Sequence, residues 1–125
     1  MEELKEGLTG EASVTVMHTN TAKAAGSGSL DVFATPCMIA LMEKAACNAL
    51  ASCLDSDSTS VGIKMSTSHI AATKIGDEVV ACATITEVDG RRLVFNVEAK
   101  DGSKVIGKGT HERFIVNVEK FMSRL

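Results

Sequence analysis

The stretch from Val32 to Leu54, VFATPCMIALMEKAACNALASCL, decides the fold of this chain. From Met38 onward its side chains are almost all apolar or small, which is typical of a helix enclosed on most sides by the protein. Pro36 suits the first helical position because the amide hydrogen that it lacks would be unpaired there. Thr35, just before it, is predicted to cap the exposed amides. We therefore expect one long central helix that begins at Thr35 and Pro36.

A carboxylate, Glu43, stands in the middle of this apolar stretch. A buried carboxylate must be paired, protonated or used in chemistry, because burying it alone is very costly. Taken alone, a helix carboxylate is more often paired with a cation or solvated than catalytic. Glu43, Lys44 and Asn48 also argue against a transmembrane helix. Glu43 is the first candidate functional residue.

Composition narrows the functional class. The chain has 125 residues and a net charge of −3, which predicts one compact domain spanning residues 1–125. It has no Trp or Tyr and no dense basic run, so it lacks the stacking and electrostatic features of a nucleic-acid binder. The amino-terminal segment is acidic and has no apolar core of a signal peptide, which predicts a cytoplasmic protein.

The cysteines give no sign of a metal site or a disulfide. None of the four forms a C-x-x-C pair, so in a reducing compartment they are interpreted as small buried hydrophobic residues. No metal ligand set is therefore predicted.

Alternating apolar residues and turn signals predict five strands around this helix. Asp89 and Gly90 form a strong hairpin signal between the third and fourth strands. The polar segment from Thr19 to Ser29 is predicted to be a loop, with a role as a lid as one alternative and a plain exposed connection as the more common one. The predicted strands are Gly10–Met17, Val61–Ala71, Glu78–Val88, Arg92–Lys100 and Lys104–Asn117, followed by a tail with about one helical turn.

The second predicted strand holds another candidate. Alternation places Val61, Ile63 and Met65 on one face, and Thr67 and His69 continue that face. A face that changes from apolar residues to Thr and His is typical of a strand entering a site. Taken alone, however, a histidine at a strand end is more often structural than catalytic.

The order of elements predicts the fold class. A strand, a long helix and four strands joined by tight turns fit an α+β fold, in which an antiparallel sheet of about five strands wraps around one central helix. Such a sheet leaves free edges, so pairing of two protomers into a longer sheet is expected.

Six short motifs occur in order along nearly the whole chain. Their order and spacing resemble those of the hot dog fold thioesterases, and among these the fluoroacetyl-CoA thioesterase-like family. The motifs are Val32–Thr35, Leu41–Glu43, Val61–Gly62, Ser68–Thr73, Val88–Leu93 and Ile106–Arg113.

The resemblance implies a hot dog fold and hydrolysis of a short acyl-CoA thioester. It also implies that Thr35, Glu43 and His69 are catalytic and that Gly62 and Arg113 contact the substrate. No cofactor is implied apart from coenzyme A as part of the substrate, and the expected assembly is a homodimer, with a homotetramer as the alternative. The chain departs from the fluoroacetyl-specific enzyme in having no aromatic lid residue between Thr19 and Leu30.

Helix geometry limits how such a site can be built. Thr35 and Glu43 are eight residues apart, which is about 12 Å along a regular helix. Either Thr35 folds in from the loop or one residue comes from a neighbouring protomer, and we favour a site at a dimer interface. A non-catalytic acyl-CoA-binding module is the alternative function, and a hydratase is disfavoured because no Asp-(x)4-His pair follows a helix start.

Overall fold

The computed structural model describes residues 1–125 and contains five strands and three α-helices. All neighbouring strands are antiparallel, and their order in the sheet is β1-β3-β4-β5-β2. A 3₁₀ turn at His18–Asn20 follows the first strand. The elements are β1 (Thr9–Thr15), α1 (Ala22–Ala25), α2 (Thr35–Leu50), β2 (Ser58–His69), β3 (Glu78–Asp89), β4 (Arg92–Asp101), β5 (Lys104–Asn117) and α3 (Val118–Ser123).

The core lies between α2 and one face of the sheet. The alternation predicted for the third strand is confirmed from Val79 to Ile85, where every second residue is buried beneath the helix, as it is from Leu93 to Ala99 in β4. The helix contributes a stripe of residues spaced three and four apart. The buried strand residues are Val79, Ala81, Ala83, Ile85, Leu93, Phe95, Val97 and Ala99, and those of α2 are Met38, Leu41, Met42, Ala45, Ala46, Ala49 and Leu50.

Close contact between α2 and β1 depends on a glycine. A Cβ atom built at Gly10 would collide with the backbone of Ala45 and Ala49. The absence of a side chain therefore lets the helix backbone rest directly on the strand. Asn48 supports the same contact by donating a hydrogen bond of 2.7 Å to the Glu11 carbonyl.

The central helix begins at Thr35 as predicted, but it differs from its prediction in its capping residue, in where it ends and on one side. It is buried along one stripe only, because the sheet covers one side of it and leaves Lys44 and Cys47 exposed. It ends at Leu50 rather than Leu54, and Ala51 donates to the Asn48 carbonyl in a tighter turn. Ala34, not Thr35, is the capping residue, and no side chain caps this end.

The predicted face of the second strand is wrong before Met65. A β-bulge between Gly62 and Lys64 inserts one residue, so the register changes from Gly62 opposite Arg113 to Met65 opposite His111. The bulge therefore places Gly62 on the same face as Met65 and His69, whereas Val61 lies on the other face, opposite Phe114.

The segment from Thr19 to Ser29 is more regular than predicted. Its first part completes the 3₁₀ turn and then forms α1. The Thr21 hydroxyl accepts a hydrogen bond from the Ala24 amide and donates one to the His18 carbonyl, and this capping stabilises the short helix.

The cysteines are all free, as expected, but they differ in burial. Cys53 is buried, Cys37 and Cys82 are half-buried, and Cys47 is exposed on the open side of α2, contrary to its predicted burial. None of the helices combines the length and the apolar character that crossing a membrane requires.

Candidate active site

Thr35 and His69 form the first part of the candidate site. Thr35 is the first residue of α2, and His69 is the last residue of β2. The Thr35 hydroxyl lies 2.8 Å from His69 Nδ1, which is hydrogen-bonding distance. This contact explains why Thr35 does not cap its helix: the hydroxyl is bonded to the histidine instead. The structure therefore brings two of the three predicted catalytic residues together.

The surroundings of His69 favour a neutral imidazole. Burial lowers its pKa from the ordinary value of 6.5, and a weaker opposing influence comes from the backbone of Ala71. Its Nε2 atom is buried and has no hydrogen-bond partner within the chain. A buried ring nitrogen without a partner is costly unless a bound molecule or another chain provides one.

A small cleft opens beside this pair. Its volume is about 290 Å³, and its walls are mostly apolar. Residues of α1, of the segment before α2 and of the segment after β2 surround it. They are Ala22, Ser27, Val32, Phe33, Thr35, His69, Ile70, Ala71 and Ala72.

Glu43 belongs to a second group of side chains, which we call the Glu43 cluster: Glu43, Gly62, His111 and Arg113. Arg113 Nη1 lies 3.6 Å from Glu43 Oε2, and His111 Nε2 lies 4.0 Å from the same oxygen. A Cβ atom at Gly62 would lie only 2.7 Å from that oxygen. Gly62 therefore leaves the space that the carboxylate occupies, so the predicted residues Gly62 and Arg113 do lie beside Glu43.

Glu43 itself is less buried than predicted. Its side chain is 41% exposed in the single chain, because the sheet covers only one side of α2. The Arg113 side chain is 8% exposed and so supplies a largely buried positive charge. The carboxylate is thus both paired with Arg113 and accessible from outside the chain.

Arg113 is held rigidly in place. Its Nε donates to the Ser60 hydroxyl at 2.8 Å, and its Nη2 donates to the Ser60 carbonyl at 3.0 Å. These two bonds orient the planar guanidinium so that Nη1 faces Glu43.

His111 is a member of the cluster that the sequence alone did not identify. Its Nδ1 lies 2.8 Å from the Lys64 carbonyl of the neighbouring strand β2. Its Nε2 lies 3.1 Å from Arg113 Nη1. The i, i+2 spacing of His111 and Arg113 on one strand face was the available signal, since such residues point the same way.

The two groups do not meet within one chain. Thr35 and Glu43 both belong to α2, so the helix holds them about 12 Å apart along its axis. The alternative in which Thr35 folds in from the loop is therefore wrong. A larger cavity does not join the groups either. Its volume is about 670 Å³, and it lies on the opposite face of the sheet among residues such as Cys82, Thr84 and Lys108.

Comparison with known proteins identifies the family. Residues 16–119 match the family model described as "FlK: Fluoroacetyl-CoA-specific thioesterase". A fluoroacetyl-CoA thioesterase from Streptantibioticus cattleyicolor is 42% identical over 95 residues, which cover 76% of this chain and 68% of that protein.

Solved structures agree with this assignment. The fluoroacetyl-CoA thioesterase FlK superposes with a TM-score of 0.91 at 33% identity, covering 98% of this chain and 96% of that one. A hypothetical protein from Thermus thermophilus, a thioesterase superfamily member, has a TM-score of 0.88 at 26% identity, covering 99% and 94% of the two chains. A hot-dog-like protein from Thermanaerovibrio acidaminovorans shares the fold, with a TM-score of 0.86 at 24% identity and coverage of 95% and 88%. The chain therefore belongs to the fluoroacetyl-CoA-specific thioesterase family and is a thioester hydrolase with the hot dog fold.

Proposed function

We propose that this protein hydrolyses a short acyl-CoA thioester to the free acid and coenzyme A, at a site made from two copies of the chain. The observation that carries the proposal is the separation on one helix of the Thr35–His69 pair from the Glu43 cluster. Family membership supports thioester hydrolysis, and the separation explains why a second chain is needed. We infer a homodimer in which residues 1–125 act as one domain.

The edge of the sheet offers a way to join the two groups. Strand β2 is at the edge, and its outer side has no partner in the chain. Ile63, at the bulge, is 51% exposed there. An unpaired edge 12 residues long favours pairing with another strand.

Antiparallel pairing of two β2 strands would bring the Thr35–His69 pair of one subunit close to the Glu43 cluster of the other. If two copies of β2 pair antiparallel about a two-fold axis near Ser66, the bulge at Gly62 and Ile63 lies opposite His69 of the partner subunit. Paired strands are about 4.8 Å apart. The Glu43 cluster of one subunit would then face the Thr35–His69 pair of the other, giving two equivalent sites per dimer.

Each group has a defined part in the proposed chemistry. Glu43 either attacks the thioester carbonyl itself or removes a proton from the attacking water. The carbon–sulfur bond breaks, the acid gains its new oxygen from water, and the proton that this water gives up ends on the sulfur of coenzyme A. If Glu43 attacks directly, water then hydrolyses the anhydride and regenerates the carboxylate. His69, as a neutral ring, orients the attacking group, while Thr35 fixes the ring through its hydrogen bond of 2.8 Å.

The start of α2 is suited to stabilising the oxyanion. No side chain caps this end of the helix. Amides in the first turn therefore point outward with the positive end of the helix dipole. Such preorganised donors stabilise negative charge as it develops on the carbonyl oxygen.

The cleft supports a small acyl group. Its volume of about 290 Å³ and its alanine-rich wall fit a short chain beside Thr35 and His69. The fluoroacetyl group that names the relatives is one candidate, and other short acyl groups are the alternatives. We infer a cytoplasmic setting, where acyl-CoA esters are made and used, with no metal or redox cofactor taking part.

Thiol release across a panel of acyl-CoA esters tests this function. We expect the wild-type protein to turn over short esters fastest, and Glu43→Gln to remain folded but lose nearly all turnover. Lys44→Gln is the matched control, since the adjacent residue is exposed and lies outside the site. If the wild-type protein binds an ester in calorimetry but hydrolyses none, the non-catalytic binding module replaces the proposed enzyme.

A further inference from the structure

We propose that His111 is a positioning residue, which as a neutral imidazole with its proton on Nδ1 holds Arg113 and, through it, the Glu43 carboxylate. This inference rests on the proposed function only in treating Glu43 as a reacting group. The arrangement of His111, Arg113 and Glu43 does not depend on that function and is tested below without measuring turnover.

The hydrogen-bond partners of His111 define its protonation state. The Lys64 carbonyl, 2.8 Å from Nδ1, can only accept, so Nδ1 must carry a hydrogen. Arg113 Nη1, 3.1 Å from Nε2, can only donate, so Nε2 must present its lone pair. Both bonds form together only in the neutral Nδ1–H tautomer.

The carbonyl that accepts from His111 Nδ1 lies directly after the bulge in β2. The inserted residue changes the register between Gly62 and Lys64, and the Lys64 carbonyl accepts from His111 across the strands. The ring is 1% exposed and stacks on Phe95 with ring centroids 6.1 Å apart. The imidazole is thus fixed by a bond at one nitrogen and by packing on its face.

Arg113 transmits this order to Glu43. Ser60 holds Nε and Nη2, and His111 accepts from Nη1, so the guanidinium is restrained on both sides. The remaining hydrogen of Nη1 is free to point toward Glu43, 3.6 Å away. Removing the acceptor on His111 would free Nη1 to turn from the carboxylate.

The groups around the His111 ring shift its pKa in opposite directions. Burial and the positive charge of Arg113 lower the pKa of His111, whereas the Lys64 carbonyl, Glu43 on α2 and Glu112 on β5 raise it less strongly. Phe95, from β4, adds no charge. Protonation would place a second donor against Arg113 Nη1, so the neutral ring is the form compatible with the observed bonds.

Two substitutions separate positioning from packing. His111→Phe preserves a planar ring but removes both hydrogen bonds. His111→Gln keeps one donor and one acceptor with nearly the spacing of the two ring nitrogens. His18→Gln is the matched control, because His18 is exposed and its side chain makes no contact in the site.

Long-range ¹H–¹⁵N NMR and the carboxyl ¹³C signal of Glu43 give the readout that is independent of turnover. We expect the Nδ1–H tautomer of His111 at neutral pH. His111→Phe should shift the Glu43 signal, whereas His111→Gln should restore it and His18→Gln should leave it unchanged. An Nε2–H tautomer, or a Glu43 signal unmoved in folded His111→Phe, overturns the inference.

Kinetics on the same variants then test the link to catalysis. Because misplacement of a reacting group by about 1 Å costs on the order of 100-fold, His111→Phe should lower kcat by about 10- to 100-fold. KM should change less, and His111→Gln should recover most of kcat. If His111→Phe does not fold, the tautomer of His111 in the wild-type protein and the Glu43 signal of His111→Gln still test whether His111 positions Arg113 and Glu43. A wild-type protein that hydrolyses no ester refutes the proposed function, whereas the NMR results separately decide the arrangement.

Discussion

At the scale of single residues, the chemistry depends on which hydrogen-bond partner each polar group finds. Thr35 has the sequence position of a helix cap, yet its hydroxyl bonds to His69, 34 residues further along the chain. Glu43 lies in an apolar sequence context, yet it pairs with Arg113, a residue of a distant strand. Local sequence identified these groups, but their partners depend on tertiary contacts that local patterns do not encode.

The protonation of His69 leads to a pH prediction. In the proposed mechanism a neutral ring orients the attacking group, and burial lowers the pKa of His69 below the ordinary 6.5. Activity should therefore persist as the pH falls through 6.5 and decline only at lower pH, as the ring of the free enzyme becomes charged. The measurement is kcat/KM against pH with the preferred ester.

Two variants show which histidine causes the loss of activity at low pH. His18→Gln should leave it unchanged, and His111→Gln shows whether the second buried histidine contributes. A decline centred above 6.5 in the wild-type protein would contradict the stated environment of His69.

Gly62 provides a second prediction at this scale. Its replacement by alanine places a Cβ atom 2.7 Å from Glu43 Oε2 and 3.4 Å from Arg113 Nη1. We expect the carboxylate to be displaced and kcat, measured by thiol release, to fall by about 10-fold or more.

Thr59→Ala is the control for that substitution, because it alters an exposed residue of the same strand. Full activity in Gly62→Ala would show that the carboxylate has room to move, and that its position against Gly62 does not matter.

At the scale of elements, alternating apolar residues and turn signals were sufficient to predict most of the strands and their bounds. β5 has the predicted bounds, and β3 and β4 each extend one residue beyond theirs. The bulge in β2 was not predicted, because one inserted residue has no signature in an alternating pattern. That single residue moved Val61 to the other face and placed Gly62 beside Glu43.

The contact between α2 and β1 gives a prediction about stability. Gly10→Ala forces a methyl group against the backbone of Ala45 and Ala49, where no flexible side chain can move aside. We expect the free energy of unfolding to fall by about 1–3 kcal/mol, as for other overpacked contacts. Urea denaturation monitored by circular dichroism measures it.

Thr9→Ala, at the exposed neighbouring position, is the control for this effect. Equal stability of Gly10→Ala and the wild-type protein would mean that the helix can separate from β1 at little cost.

At the scale of the whole molecule, the central claim is that one chain holds two halves of a site. The sequence predicted that Thr35 and Glu43 of one chain would be too far apart to act on the same atom, because eight helical residues separate them. The alternative in which Thr35 folds in from the loop is excluded, because Thr35 is the first residue of α2. What remains is assembly of two chains along the free edge of β2, which we infer from the unpaired strand.

Subunit complementation tests this claim most directly. His69→Ala and Glu43→Gln, each inactive alone, are mixed, unfolded and refolded together, and assayed for thiol release. If each site takes His69 from one chain and Glu43 from the other, a mixed dimer regains one intact site of two. Random pairing should then restore about a quarter of wild-type activity. Activity no higher than that of either variant alone, in a mixture shown to contain mixed dimers, would contradict the shared site.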